Sequence, residues 1–247
     1  MTKNPPTDNE QHSLSRSLVL HLLPGVLILL FFAALAPVLR SLGFPSLLAQ
    51  FLAVTFALIP FELGCILYQA KRQNRTWSLK GIVLYREKIP NWQYVAFIPP
   101  LLAWALVCFI LISPPIDKVL IESYFSWLPD WFFLYIEPGA YSKGALWLTW
   151  FVGVLFNGLA GPMVEELYFR GYLLPRVSRL KGWAPIWNVV LFSVYHFFTP
   201  WQNPARILAL LPGAHLIQWK KNIYLGMIPH CLLNTTGMLL MLPLLLK

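Results

Sequence analysis

The chain has 247 residues, of which 57% are hydrophobic and only 12% are charged. So few charges cannot cover the surface of a water-soluble globule, and the composition therefore predicts an integral membrane protein. The net charge of +9 does not indicate nucleic-acid binding, because the basic residues occur in short clusters between long apolar runs.

Seven apolar segments are candidates to cross a bilayer whose hydrocarbon core is about 30 Å thick. They cover approximately residues 17–38, 46–69, 93–113, 143 onwards, 183–199, 206–219 and 222–246. The sixth segment is short and contains Pro212-Gly213, which predicts a broken or bent helix beside a cavity. The predicted fold is all-α and polytopic. It comprises a polar tail (1–16), N-terminal membrane segments (17–142) and a C-terminal membrane domain (143–247).

Three basic clusters predict the orientation of the chain. They lie in residues 70–92, in residues 176–181 and at Lys220-Lys221. Seven crossings place all three clusters and the N-terminus on one side, which the positive-inside rule identifies as cytoplasmic. The same reasoning puts residues 114–142 on the opposite side. The aromatic stretch in that segment, with a break at Pro129-Asp130, predicts a belt at the membrane interface.

Isolated polar residues in the apolar segments have ordinary structural interpretations. Glu62 follows Pro60 and is predicted to cap the first turn of a broken helix, with a role in a cavity as the alternative. His21 and His215 lie near cytoplasmic ends, where a position at the interface accounts for them. The three cysteines have neither paired nor C-x-x-C spacing, so no disulfide framework or cysteine zinc site is predicted.

Three polar motifs occur at similar predicted depths in separate segments: "EELYFR", "FSVYH" and "HCLLN". In a helix, Glu166 and Arg170 are four residues apart and can pair, whereas Glu165 points about 100° away from them. Helix lengths measured from the basic clusters place each motif roughly 15 to 20 Å below that surface. The residues expected to meet near the bilayer midplane are Glu165, Glu166, His196, His230 and Asn234.

This combination of motifs resembles the CAAX protease and bacteriocin-processing family of intramembrane endopeptidases, also called the Abi family. The pattern E-E-x-x-x-R matches Glu165, Glu166 and Arg170. The pattern F-x-x-x-H matches Phe192 and His196, and H-x-x-x-N matches His230 and Asn234. The resemblance covers about residues 145–240. The N-terminal part shows only general membrane character.

The resemblance implies hydrolysis of peptide bonds within the membrane. A glutamate and a histidine would activate water, and a histidine and an asparagine would stabilise the oxyanion. The residue types suit this chemistry, because a carboxylate accepts the proton of water and N–H groups bind developing negative charge. Phe192 is interpreted as a wall of the cavity. No G-x-S-x-G or H-E-x-x-H motif is present in the sequence.

Glu165, free of Arg170, is predicted to be the general base, and Glu166 to hold the helix through its pair with Arg170. No cofactor is favoured. A divalent metal such as zinc remains an alternative, because Glu165, His196 and His230 can provide three ligands and leave a position open for water. The sequence offers no local ligand pair such as H-x-x-x-H in support of zinc.

The expected partners are the lipid bilayer and a membrane-associated protein or peptide substrate. A bacterial plasma membrane is the expected location. Two other functional classes fit a membrane protein with buried charges: a non-catalytic immunity or binding protein of the same family, and a proton-coupled transporter. The paired His and Asn favour the enzyme over the transporter, since a proton relay does not require them at i, i+4 spacing.

Overall fold

The computed structural model describes residues 11–137 and 139–246 and consists of helices joined by short loops. Seven long helices follow one another, and a final short helix, α8, ends the described chain. In chain order they are α1 (Leu14–Ser41), α2 (Ser46–Asn74), α3 (Asn91–Phe125), α4 (Lys143–Leu180), α5 (Trp183–Val194), α6 (Asn203–Lys220), α7 (Tyr224–Leu239) and α8 (Leu242–Leu246). Among the described residues, β-pairing is limited to isolated bridges. The all-α prediction is confirmed.

Four helices, α1 to α4, are long and apolar enough to cross a membrane, and α5 is a shorter apolar helix. This set fits the predicted polytopic membrane protein. Most of the predicted segments agree with a helix, but several bounds differ. Helix α3 continues to Phe125, well past the predicted end at 113, because π-helical turns at Cys108–Ile112 and Ile121–Phe125 absorb the irregular backbone around Pro114-Pro115.

The prediction of a broken sixth segment is wrong. Helix α6 runs without interruption through Pro212 and Gly213 from Asn203 to Lys220. A proline inside a helix removes one hydrogen bond and bends the helix, but it need not end it.

The basic clusters meet at one end of the bundle, which we call the basic end (residues 70–92, 176–181 and 220–221). The amide of Glu87 donates to the carbonyl of Lys221 over 2.9 Å, and the Arg176 guanidinium donates to the carbonyl of Ile82 over 3.0 Å. These bonds link all three clusters, as the shared side predicted from sequence requires. Which face of the membrane this end occupies remains a prediction.

The N-terminal tail joins the basic end as well. The amide of His12 donates to the carbonyl of Arg176 over 2.8 Å, and the His12 ring packs edge-on against Tyr172. Burial, together with the charges of Arg16 and Arg176, lowers the pKa of His12 to about 3. Residues 1–10 of the predicted polar tail lie outside the described residues. The division of the chain into this tail, residues 17–142 and residues 143–247 stays a prediction.

The opposite end, which we call the aromatic end (residues 121–135 and 195–202), is only partly the predicted interfacial belt. Tyr124 and Trp127 are exposed. Phe132, in contrast, is buried, with its ring 5.6 Å from Phe32 and 6.3 Å from Trp201. The segment after α3 therefore folds inward over the bundle, because its phenylalanine side chains find apolar partners there.

A close approach between α1 and the end of α5 helps to position the central motifs. A Cβ atom at Gly25 would collide with the backbone of Tyr195, so only glycine permits this packing. His21, one turn earlier on α1, is fully buried. Its Nδ1 donates to the carbonyl of Ser17 over 2.7 Å, and its Nε2 accepts from Asn188 over 3.0 Å. The interpretation of His21 as an interface residue is wrong, whereas His215 is exposed as expected.

Candidate active site

The two adjacent glutamates lie in the middle of α4. Gly161 and Pro162 precede them, and α4 is helical throughout this region. A π-helical turn at Gly153–Ala160 immediately precedes the proline. Such turns shift the carbonyl that the proline ring would otherwise contact, which explains how the helix continues. A second π-helical segment, Glu166–Leu173, begins at the second glutamate.

The predicted ion pair on α4 is present and buried. Arg170 Nε lies 3.8 Å from Glu166 Oε2, and both side chains are almost completely inaccessible to solvent. The Arg170 guanidinium also stacks over the Phe192 ring, 4.2 Å from its centre. Phe192 thereby holds the cation in place, in addition to its contacts with the two histidines.

The two glutamates are joined by His230 of α7. His230 Nδ1 lies 3.2 Å from Glu166 Oε1, and its Nε2 lies 3.7 Å from Glu165 Oε2. The imidazole therefore stands between two carboxylates that the helical geometry had separated. Gly226, one turn earlier on α7, permits this approach, because a Cβ there would lie 2.6 Å from Glu166 Oε2.

The sequence left Glu165 free of Arg170, but in the structure its carboxylate has other partners. The hydroxyl of Tyr195 donates a hydrogen bond to Glu165 Oε1. Tyr195 itself is buried. This bond orients the carboxylate and leaves its other oxygen, Oε2, on the side of His230.

His196 lies just beyond the end of α5 and not within it. The helix ends at Val194, and a turn carries His196 back so that its ring lies 5.1 Å from that of Phe192. His196 Nδ1 is 2.8 Å from the Phe192 carbonyl oxygen. A carbonyl only accepts, so Nδ1 carries the proton and Nε2 of the neutral ring presents a lone pair.

Asn234 lies one helical turn after His230 on α7. Its Nδ2 donates to the carbonyl of Asn157 on α4 over 2.9 Å. An amide nitrogen has two hydrogens, so this bond fixes the side chain and leaves one N–H for another acceptor.

Glu165, Tyr195, His196, His230 and Asn234 line one cavity of about 520 Å³. Its polar lining groups come from several helices and from the loop after α5. They are Gln50, Asn157, Glu165, Tyr195, His196, Thr199, Gln202, Arg206, His230 and Asn234. Ile121, Phe133, Leu134 and Tyr135 cover it from the aromatic end. The cavity thus extends toward the aromatic end.

Four residues near this site were not assigned to it from the sequence. Tyr195 and Asn157 bond to predicted site residues, and Arg206 lines the cavity. Tyr195 directly precedes His196, so its proximity could have been noticed, but its direction depends on the end of α5 at Val194. Asn157 and Arg206 carry no sequence signal beyond being polar residues in or near apolar segments.

Glu62 is the fourth such residue, and its predicted capping role is wrong. It lies in the first turn of the α-helical part of α2, but a π-helical turn at Val54–Leu58 precedes it, so no free helix end is there to cap. Its side chain is fully buried, and neither carboxylate oxygen has a hydrogen-bond partner among the described residues. Glu62 interacts electrostatically with Glu165 and Arg170.

The three proposed metal ligands are not gathered into a metal site. Within residues 11–137 and 139–246, no group of three or more His, Cys, Asp or Glu side chains is placed to hold a metal ion. Glu165 and His230 are neighbours, whereas the described structure does not group His196 with them. The metal alternative stays a prediction, and no step of the proposed reaction is assigned to a metal.

Comparison with known proteins identifies the segment that holds these motifs. Residues 146–236 match the model of the family described as type II CAAX prenyl endopeptidase Rce1-like. The match confirms the resemblance inferred from the motifs. Its bounds are close to the predicted residues 145–240. No curated protein and no solved structure matches the chain.

Proposed function

We propose that this chain, whose residues 146–236 belong to the type II CAAX prenyl endopeptidase family, is an intramembrane endopeptidase that cleaves a membrane-associated protein or peptide. One observation carries the proposal: Glu165 lines the same cavity as His196, His230 and Asn234, and His230 bridges it to the buried Glu166. The cavity thus combines a base, N–H donors and space for a peptide.

Glu165 is the general base. Tyr195 orients its carboxylate, and His196 presents an Nε2 lone pair to the same cavity. A water molecule held by these two acceptors loses a proton to Glu165 while its oxygen attacks the carbonyl carbon of the substrate. The bond from Nδ1 to the Phe192 carbonyl favours His196 as the histidine that holds water.

His230 and Asn234 stabilise the oxyanion that forms when the carbonyl bond opens. His230 Nδ1 donates to Glu166, and protonated Nε2 offers a second N–H beside Glu165. The free amide N–H of Asn234 lies one turn away. The tetrahedral intermediate then collapses as the carbon–nitrogen bond breaks. Glu165 returns its proton to the leaving nitrogen, yielding a carboxylic acid and an amine.

Glu166 and Arg170 support this arrangement without touching the substrate. Two carboxylates, Arg170 and protonated His230 sum to zero charge, so the buried cluster is electrically balanced. Glu166 orients His230 through Nδ1, in the way that a second-shell carboxylate orients a catalytic imidazole.

Cleavage of a library of membrane-anchored peptides by purified protein in detergent or vesicles tests the proposal directly. New peptide termini that are produced by the wild type and not by Glu165→Gln would support an endopeptidase. Binding of peptides without cleavage would favour the immunity or binding protein. Proton-coupled solute uptake without cleavage would favour the transporter.

The proposed orientation places the N-terminus and the basic end in the cytoplasm of a bacterial cell, by the positive-inside rule. Single cysteines at Ser78, in the basic loop, and at Trp127, exposed at the aromatic end, test it in a background without native cysteines. An impermeant reagent added outside the cell should label position 127 and not position 78. Labelling of both from the same side would contradict the orientation.

A further inference from the structure

One wall of the cavity holds a buried amide side chain that the proposed reaction does not use. Gln50, near the start of α2, is only 4% exposed and lines the cavity together with Glu165. It lies in the N-terminal membrane segments, outside the residues that match the family model. The other residues of α2 that line the cavity are apolar: Leu47, Phe51, Val54 and Leu58.

The Gln50 amide has no hydrogen-bond partner within the described ranges of the chain. There, its Oε1 is buried and accepts no hydrogen bond, and its Nε2 donates none. Ser46, one turn earlier on α2, does not satisfy this amide, because the Ser46 hydroxyl is itself buried without a partner among the described residues. A buried amide that makes no hydrogen bond is costly, and buried polar groups are normally paired. Gln50 therefore favours a hydrogen-bonding group that enters from the cavity.

A second amide lines the same cavity from α4. The side chain of Asn157 forms no hydrogen bond to a described residue either. Its backbone carbonyl accepts from Asn234, so Asn157 is held beside the proposed oxyanion donor. Asn157 lies in the π-helical turn Gly153–Ala160, and such turns are frequent at functional sites. The cavity wall thus carries two amide side chains that are available to a ligand.

Close packing of α2 against α4 brings the two amides to the same region. A Cβ at Gly153 would lie 2.5 Å from the Phe51 ring. Gln50 directly precedes Phe51, and Asn157 follows Gly153 by about one helical turn. Helix α4 then continues to Glu165, two turns further, which is roughly 11 Å along the helix axis. An extended peptide advances about 3.3 to 3.6 Å per residue, so peptide units near the amides lie within about four residues of the cut bond.

We propose that Gln50 binds the peptide backbone of an extended substrate. This inference rests on the proposed endopeptidase function, since Glu165 in the same cavity defines where the peptide is cut. A glutamine amide carries an acceptor oxygen and two N–H donors, and a peptide unit carries one donor and one acceptor, so the two groups are complementary. In a helical substrate these backbone groups bond to one another, and the contact with Gln50 therefore requires an unwound segment.

The test replaces the backbone amides of a substrate with esters, one position at a time. An ester keeps the side chains and the length of the peptide but lacks the N–H group. The parent is the best-cleaved member of a library of membrane-anchored peptides, and the esters cover about four positions on each side of the cut bond. At one of these positions the ester should lower the kcat/KM of the wild type roughly threefold to tenfold, as expected for one lost hydrogen bond.

Gln50→Met removes the amide and keeps the length of the side chain. With the all-amide peptide this variant should lose roughly threefold to tenfold in kcat/KM, mainly through KM, and the ester should then cost nothing further. Gln73→Met makes the same change at an exposed position of the same helix and should keep the wild-type ester penalty. Equal ester penalties in the wild type and in Gln50→Met, or no penalty at any position in the wild type, would overturn the inference.

Thermal stability separates substrate binding from a purely structural role of Gln50. A buried amide without a partner destabilises the free protein, so Gln50→Met should leave the melting temperature unchanged or raise it. A lowered melting temperature, or a variant that does not fold, would show that the amide is bonded within the protein and would contradict the inference.

A binding measurement separates this inference from the proposed function. Affinities for the all-amide peptide and the ester series are measured with the Glu165→Gln protein, with and without Gln50→Met. The all-amide peptide should bind roughly threefold to tenfold more tightly than one of the esters, and only when Gln50 is present. If the wild type cleaves no peptide, the proposed function fails, and the same measurement on the tightest-binding peptide of the library still decides the inference. Equal affinities, or a preference that survives Gln50→Met, would show that Gln50 does not bind the backbone.

Discussion

The C-terminal segment 146–236 and the N-terminal membrane segments 17–142 contribute different things to the same cavity. The first supplies the groups proposed to react: Glu165, the two histidines and Asn234. The second supplies enclosure, through Phe51 of α2 and the folded-in aromatic end. The difference shows that reactive groups require a precise arrangement of a few side chains. The walls of the cavity require only large apolar side chains and a backbone path that brings them to the cavity.

The largest effect is expected from the base itself, in the C-terminal segment. Glu165→Gln keeps the size of the side chain and an oxygen that can accept from Tyr195, but it removes the group that takes the proton of water. We expect a folded protein whose cleavage rate falls by roughly 10²- to 10⁴-fold. Rates are measured on the peptide library, with melting temperature as the control. Wild-type turnover by this variant would remove Glu165 from its role.

Loss of a cavity donor or acceptor should cost somewhat less. Asn234→Ala removes an oxyanion donor, and His196→Ala removes the acceptor that holds water, so each should lower kcat by roughly 10²-fold or more. Both variants are expected to remain folded, because each side chain makes only one hydrogen bond among the described residues. A variant that retains the wild-type kcat would show that its residue lies outside the reaction.

Glu166→Gln should differ from Glu165→Gln by affecting stability. The substitution leaves Arg170 and His230 without their buried carboxylate, and breaking such a pair costs roughly 3 to 5 kcal/mol. We expect reduced cleavage together with a clearly lowered melting temperature. The two glutamine variants are matched controls for each other, since they make the same change at adjacent positions. Equal melting temperatures would contradict the division of roles.

Substitutions in the N-terminal segments should weaken substrate binding and leave the rate of the chemical step unchanged. Phe133 lines the cavity, and its ring lies 5.4 Å from that of Trp201. Phe133→Ala should raise KM up to about tenfold, because an aromatic contact contributes roughly 0.5 to 1.5 kcal/mol beyond the area it buries. The kcat should change little. Trp127→Ala, at an exposed aromatic residue of the same segment, is the control. A large fall in kcat for Phe133→Ala would contradict the prediction that this region only encloses the substrate.

The smallest effect is expected from chelation. Because no step of the proposed reaction is assigned to a metal, prolonged treatment with a chelator should leave turnover within about twofold of the untreated protein. Elemental analysis of the same sample accompanies the assay. Stoichiometric zinc with chelator-sensitive turnover would establish a metal mechanism in place of the glutamate base.

The sequence by itself determined the class of fold, the approximate spans and the resemblance of one segment to a CAAX endopeptidase family, and it predicted most of the candidate site residues. These features are local: apolar length decides a span, and i, i+4 spacing decides that Glu166 meets Arg170. The three motifs could be recognised because each occupies a short stretch of chain.

Only the tertiary structure decided how the motifs face one another. His230 bridges both glutamates because α7 packs beside α4 at Gly226. Tyr195 reaches Glu165 because α5 ends at Val194, and Arg206 enters the cavity because α6 begins beside it. Such contacts join residues that are distant in sequence. They depend on where each helix ends and on which side chains the packing leaves without a partner, and neither is contained in the spacing of a single motif.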